Sequence, residues 1–158
     1  MPDRSLQERF FADGRCFGCG PANEQGLRIR SFETAPEPDA EVICDWTPEP
    51  HHQAAPGMVN GGILGALMDC HGNWTAAHHL LRRDGLERPP TTVTGDFHVR
   101  LLKPTPSDRP LHIAARTVSS AGRKVKVEAE ITSGGEVTAT CTATFIAVKP
   151  HHPAAGRW

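Results

Sequence analysis

Pro56-Gly-Met-Val-Asn-Gly-Gly-Ile-Leu-Gly-Ala-Leu-Met-Asp69 opens the one long helix that this sequence predicts. Two glycines begin the helix and a single carboxylate interrupts its apolar run. Glycine inside a helix costs on the order of 1 kcal/mol relative to alanine, and a buried carboxylate costs more unless it is partnered. Neither choice serves stability, so the stretch reads as a site. Onward to about residue 83, Ile63, Leu67, Cys70, Trp74, Ala77 and Leu81 recur at alternating steps of four and three, the spacing of one helical face.

Upstream, Gly26 leads into Leu-Arg-Ile-Arg-Ser-Phe, whose apolar and polar residues alternate with the period of a half-buried strand. Glu37-Pro-Asp is a turn, residues 40–46 predict an antiparallel partner strand, and Pro48, Pro50 and Pro56 exclude regular structure before Asn60. Downstream of Arg88-Pro-Pro, residues 92–102, 111–119, 125–131 and 137–148 are rich in Val, Thr, Ile and Phe and predict a four-strand meander. The sum is an α+β domain in which a strongly twisted antiparallel sheet wraps one long central helix. Residues 1–25 read as an N-terminal appendage with a short helix, 26–150 as the domain, and 151–158 as a mobile tail.

With 158 residues, 38% hydrophobic and 22% charged, the chain is long and apolar enough for one core-forming domain. Its 17 basic and 18 acidic side chains, formal net charge -1, supply no field suited to nucleic acid. The N-terminus MPDRSLQERFFADGR has no apolar core of a secretion signal, and no run is long enough to span a bilayer, so neither membrane nor nucleic acid is expected as a partner. A cytoplasmic location is the expectation. Five cysteines, an odd number, suit reduced thiols better than a disulfide framework.

The order of these elements, with a Gly-Gly helix start and an aspartate inside the helix, resembles the hotdog-fold acyl-CoA thioesterases, in particular their phenylacetate-pathway branch. The resemblance covers roughly residues 16–149. Cys16-Phe-Gly-Cys-Gly-Pro-Ala-Asn-Glu-Gln-Gly-Leu is similar to an N-terminal signature of part of the superfamily, TGDFHVRLLKP from Thr94 to Pro104 to its third strand and following turn, and Gly122-Arg-Lys-Val-Lys-Val to the start of a later strand. Two positions depart from it. The family commonly reads Gly-x-x-His-Gly-Gly where this chain has Gly57-Met-Val-Asn60-Gly61-Gly62, and Ala54 stands where one branch has asparagine.

The resemblance implies an acyl-CoA thioester hydrolase that releases a free carboxylic acid and CoA, built as a homodimer or homotetramer, with no cofactor beyond the CoA of its substrate. The alternative is a non-catalytic module of the same fold that binds acyl-CoA or acyl-carrier protein, for which Asn60 is the motivating departure. A hydratase acting on enoyl thioesters ranks behind both, because the Asp-His pairing it requires is missing.

Amides at a helix start have no internal partners and sit at the positive end of the dipole, so the Gly61 and Gly62 N–H groups are candidates to hold a thioester oxygen. Asn60 caps the helix or adds a side-chain donor. Asp69 is the candidate base or nucleophile, since no G-x-S-x-G motif occurs in the chain. At a rise of about 1.5 Å per residue, Asp69 lies about 12 Å along the helix from Gly61, too far for both to serve one carbonyl within one subunit. The site is therefore expected to be shared across a two-fold axis, with Gly65 and Gly72 permitting close helix approach.

By the resemblance, Thr94 occupies the position of a hydroxyl that orients the attacking water. Arg100, Lys103, Arg123 and Lys124, at or near strand ends, are candidates for the CoA phosphates. Cys16 and Cys19 form a C-x-x-C that would need a second pair, such as His51 with His52 or Cys44, to read as zinc. That spacing is irregular, so a tight turn of buried thiols is favoured and no metal is expected. His71, His78 and His79 are expected on the exposed side of the helix.

Overall fold

Helix α2, Gly61–Arg83, carries its own start and stop signals. Asn60 precedes it in extended conformation and its Oδ1 accepts hydrogen bonds from the Gly62 and Ile63 amides, while Arg82 and Arg83 lie in the last turn, where cations favour the dipole. Beyond Asp84, Gly85 takes φ +61 and the Leu86 amide returns 2.9 Å to the Leu81 carbonyl, closing the helix with a left-handed cap. A computed structural model describes residues 1–156, so the end of the tail anticipated at 151–158 lies outside the described residues.

Around α2 the chain contributes α1 (Leu6–Phe10), β1 (Phe32–Glu33), β2 (Val42–Trp46), a 3-10 turn (Pro50–His52), β3 (Thr92–Leu101), β4 (Leu111–Ala121), β5 (Lys124–Ser133) and β6 (Glu136–Ala147). The strands form one six-stranded antiparallel sheet in the order β1-β2-β4-β5-β6-β3. β2 to β6 all pack against α2, whose Leu67, Met68, Trp74 and Leu80 meet Ile113, Val125, Ile131 and Phe145 in one core. Gly72 makes that approach possible: a Cβ there would lie 3.0 Å from the Phe145 ring. Turns with positive φ at Gly122, and at Gly134 and Gly135 together, join β4 to β5 and β5 to β6.

Two expectations are corrected. The meander holds only for β4, β5 and β6, because β3 crosses to the far edge and pairs with β6. Residues 102–110 include Pro104, Pro106 and Pro110, and make that crossing instead of a hairpin. The strand expected from Gly26 also shrinks to Phe32 and Glu33. Leu27 and Ile29 are buried in alternation as the pattern requires, but their amides donate to the Phe17 and Gly18 carbonyls, a loop rather than a sheet edge.

Candidate functional site

β3 and β6 shift register between Thr94 and Asp96, where a bulge at Gly95 changes which side chains face the helix. Thr92 and Thr94 bond helix residues before it, whereas Phe97, Val99 and Leu101 line the helix groove after it. Gly95 suits the bulge, since a Cβ would come 3.2 Å from Ile146 and 3.3 Å from the Thr144 carbonyl. Thr94 Oγ1 thereby donates 2.7 Å to Asp69 Oδ1. Burial raises the Asp69 carboxyl above its ordinary range, the Thr94 hydrogen bond opposes that shift, and the charge on Cys16 adds to it. Asp69 Oδ2 has no hydrogen-bond partner among the described residues.

Asp69 ends a groove of about 490 Å³ that runs along α2 between Gly61, Gly62, Gly65 and Ala66 on one wall and Phe97, Val99 and Leu101 on the other. At Gly61 and Leu101 the groove adjoins a second hollow of about 300 Å³ floored by Ala54, Met58, Lys103 and Pro104. The two glycine amides differ. That of Gly62 donates 2.8 Å to Asn60 Oδ1, whereas that of Gly61 has no hydrogen-bond partner among the described residues. Asn60 is thus the helix cap.

The four candidate phosphate contacts do not converge within the chain. Arg100 points to the sheet face opposite the helix, beside Arg116, Glu128 and Glu130. Arg123 donates 2.7 Å to the Ala147 carbonyl and shares a hollow with Lys149, His151 and His152, while Lys124 is exposed at the start of β5. Lys103, 3.2 Å from Glu136, adjoins the Gly61 end of the groove. Gly65 faces the groove, but Gly72 is consumed inside the chain by Phe145, so it offers no approach to a second helix.

The three helix histidines are buried, contrary to expectation, because residues 31–39 cover the face that periodicity leaves outward. His71 Nε2 donates 2.9 Å to the Val42 carbonyl and its Nδ1 accepts from the Ser31 hydroxyl at 2.8 Å, itself held by Gln7. His79 bonds the Pro38 carbonyl and the Ser120 hydroxyl, and His78 meets Arg82. Burial pushes His71 and His78 down to about 4.

The C-x-x-C turn is corrected as well. Cys19 is buried but Cys16 is exposed, and the thiol that joins them belongs to Cys70, while His51 and His52 group with Glu49 and Cys44 stays apart in β2. The apolar wall of Phe97, Val99 and Leu101 also escaped the sequence reading. Gly95 inside a strand pattern is the signal that points to it.

A sequence model described as thioesterase superfamily matches residues 56–140, more than half of the chain. No curated protein matches. Among solved structures, a thioesterase superfamily protein from Shewanella loihica PV-4 is 26% identical, with 82% of this chain and 98% of that one covered and a TM-score of 0.65. A phenylacetic acid degradation-related protein from Ralstonia eutropha JMP134 is 20% identical over 90% of this chain and 98% of that one, TM-score 0.67. The PaaI protein of the E. coli phenylacetic acid degradation operon is 15% identical over 78% and 81%, TM-score 0.61. The long helix packed on a six-stranded antiparallel sheet is the hotdog fold these structures share.

Proposed function

The chain belongs to the thioesterase superfamily, and from that premise we propose that it hydrolyses acyl-CoA thioesters to a free carboxylic acid and CoA. The observation that carries this reading is the Asp69–Thr94 pair, bonded at 2.7 Å at one end of an apolar groove. Asp69 takes a proton from a water held between its free Oδ2 and the Thr94 hydroxyl, and the hydroxide attacks the thioester carbon. The carbonyl oxygen, as it gains charge, accepts a hydrogen bond from the Gly61 amide at the positive end of α2. Collapse of the tetrahedral intermediate expels the CoA thiolate, which takes up the proton from Asp69.

One subunit holds Asp69 and Gly61 about 12 Å apart, so the reading requires two. β3 is an edge strand with Phe97 45% and Leu101 56% exposed, an apolar margin suited to a second copy of the chain. Antiparallel pairing of two α2 helices there sets Asp69 of each subunit near the Gly61 amide of the other.

Release of free CoA thiol over a panel of short, aromatic and medium-chain acyl-CoA esters tests the proposal. Asp69→Asn is expected to lower kcat by roughly 10²- to 10⁴-fold on every ester that the wild type cleaves. Equal rates for the two proteins would overturn the mechanism. Tight binding of the esters without turnover by the wild type would assign the chain to acyl-CoA binding instead.

A further inference from the structure

Behind the groove, the thiols of Cys16, Cys19 and Cys70 converge, with their Sγ atoms all within 4.8 Å of one another. Cys16 and Cys70 are 54 residues apart in sequence, yet their sulfurs lie 3.7 Å apart. Tetrahedral ligation at a metal–sulfur distance of about 2.3 Å sets sulfurs about 3.8 Å from each other. The backbone is shaped for this convergence. A Cβ on Gly18 would lie 2.3 Å from Cys70 Sγ, so glycine between the two loop cysteines is what admits the third thiol. The Gly20 amide closes the turn onto the Cys16 carbonyl at 2.9 Å, and a Cβ there would be 2.4 Å from the Cys16 nitrogen.

Donors surround the sulfurs. The amides of Gly18 and Cys19 reach Cys16, and the Trp74 indole N–H donates 3.3 Å to Cys19 Sγ. Such N–H···S contacts stabilise thiolates and orient them, the part that outer partners play around a ligated metal. Cys16 is exposed and Cys70 half-buried, so the cluster opens to solvent on one side.

We propose that Cys16, Cys19 and Cys70 form a binding site for a soft divalent cation of the zinc class, with three thiolate ligands and a fourth position open to solvent. Sulfur ligands select such ions over magnesium or calcium, which require oxygen. A divalent cation bound there allows all three thiols to ionise, with their protons released to solvent. The bound ion ties the N-terminal loop to the helical turn that carries Asp69. This assignment stands whether or not the chain hydrolyses thioesters.

The test is titration of the reduced, metal-free, full-length protein with Co²⁺, read by thiolate-to-cobalt charge-transfer absorption, followed by addition of Zn²⁺. The expected result is a band that saturates at one Co²⁺ per chain, is abolished by Zn²⁺, and is accompanied by a higher melting temperature in either cation. Cys16→Ser removes an exposed thiol without disturbing the core and is expected to weaken Co²⁺ binding about tenfold or more. Cys44→Ala and Cys141→Ala are expected to leave the band unchanged. Absence of the band at one equivalent, or a Cys16→Ser protein that titrates like the wild type, would overturn the proposal. So would a Cys16–Cys70 disulfide whose reduction yields no Co²⁺ uptake.

Discussion

At the scale of single residues, the helix start divides labour that its glycine pair had made look uniform. Asn60 occupies the Gly62 amide, so the proposed mechanism assigns the substrate oxygen to the Gly61 amide. Gly61→Pro isolates that role. Proline is favoured at the first helical position, Asn60 already has the extended φ of -60 and ψ of 133 that a following proline requires, and the nearest obstacle to a new Cβ is the mobile end of Leu101 at 2.9 Å. The helix is therefore expected to persist while kcat falls roughly 10²- to 10³-fold, the usual effect of deleting one oxyanion donor. Circular dichroism and steady-state rates on the same preparation check both halves. An unchanged kcat would remove the Gly61 amide from the mechanism.

At the scale of elements, the junction between α2 and the sheet is set by Gly72 against Phe145, which lie as close as a methyl group would allow only by displacing the ring. Gly72→Val is expected to destabilise the fold by about 1–3 kcal/mol through overpacking, measurable by urea denaturation. The buried side of the same helix carries a pH dependence. His78, ordinarily near 6.5, is pushed down to about 4 by burial; Glu33 opposes the shift and Arg82, Arg9 and His79 reinforce it. Its neutral form belongs to the fold, so the stability it contributes is fully present above pH 6.5 and is lost as pH falls toward 4. Melting temperature is expected to drop across that interval, and His78→Gln to flatten the drop.

How much of this was legible depended on whether the information was local. α2 could be bounded at Gly61 and near Arg83 because cap, periodicity and C-terminal cations are written in neighbouring residues. The partner of β3 could not, since Thr92 to Leu101 pairs with Glu136 to Ala147 across two intervening strands. Likewise the alternation at Leu27 and Ile29 encodes burial without naming a backbone partner, and the burial of His71 depends on Ser31, which sequence separation hides. Asp69 could be picked out as a carboxylate in an apolar run. Its hydrogen bond with Thr94 and the convergence of Cys70 with Cys16 and Cys19 exist only once the chain is folded.

At the scale of the whole molecule, the proposed mechanism assigns two half-sites to each chain, built on one sheet, one helix and an apolar edge strand, and requires their union across a two-fold axis. Mixing subunits tests that requirement most directly. Asp69→Asn and Gly61→Pro proteins, each expected to be nearly inactive alone, are unfolded and refolded together in equal amounts. If Asp69 of one subunit serves Gly61 of the other, each mixed dimer contains one doubly impaired site and one site with both groups intact. Random pairing makes about half of the dimers mixed, so acyl-CoA hydrolysis should recover to about a quarter of the wild-type rate per subunit. A co-refolded mixture no more active than the average of the two variants alone would contradict the shared site.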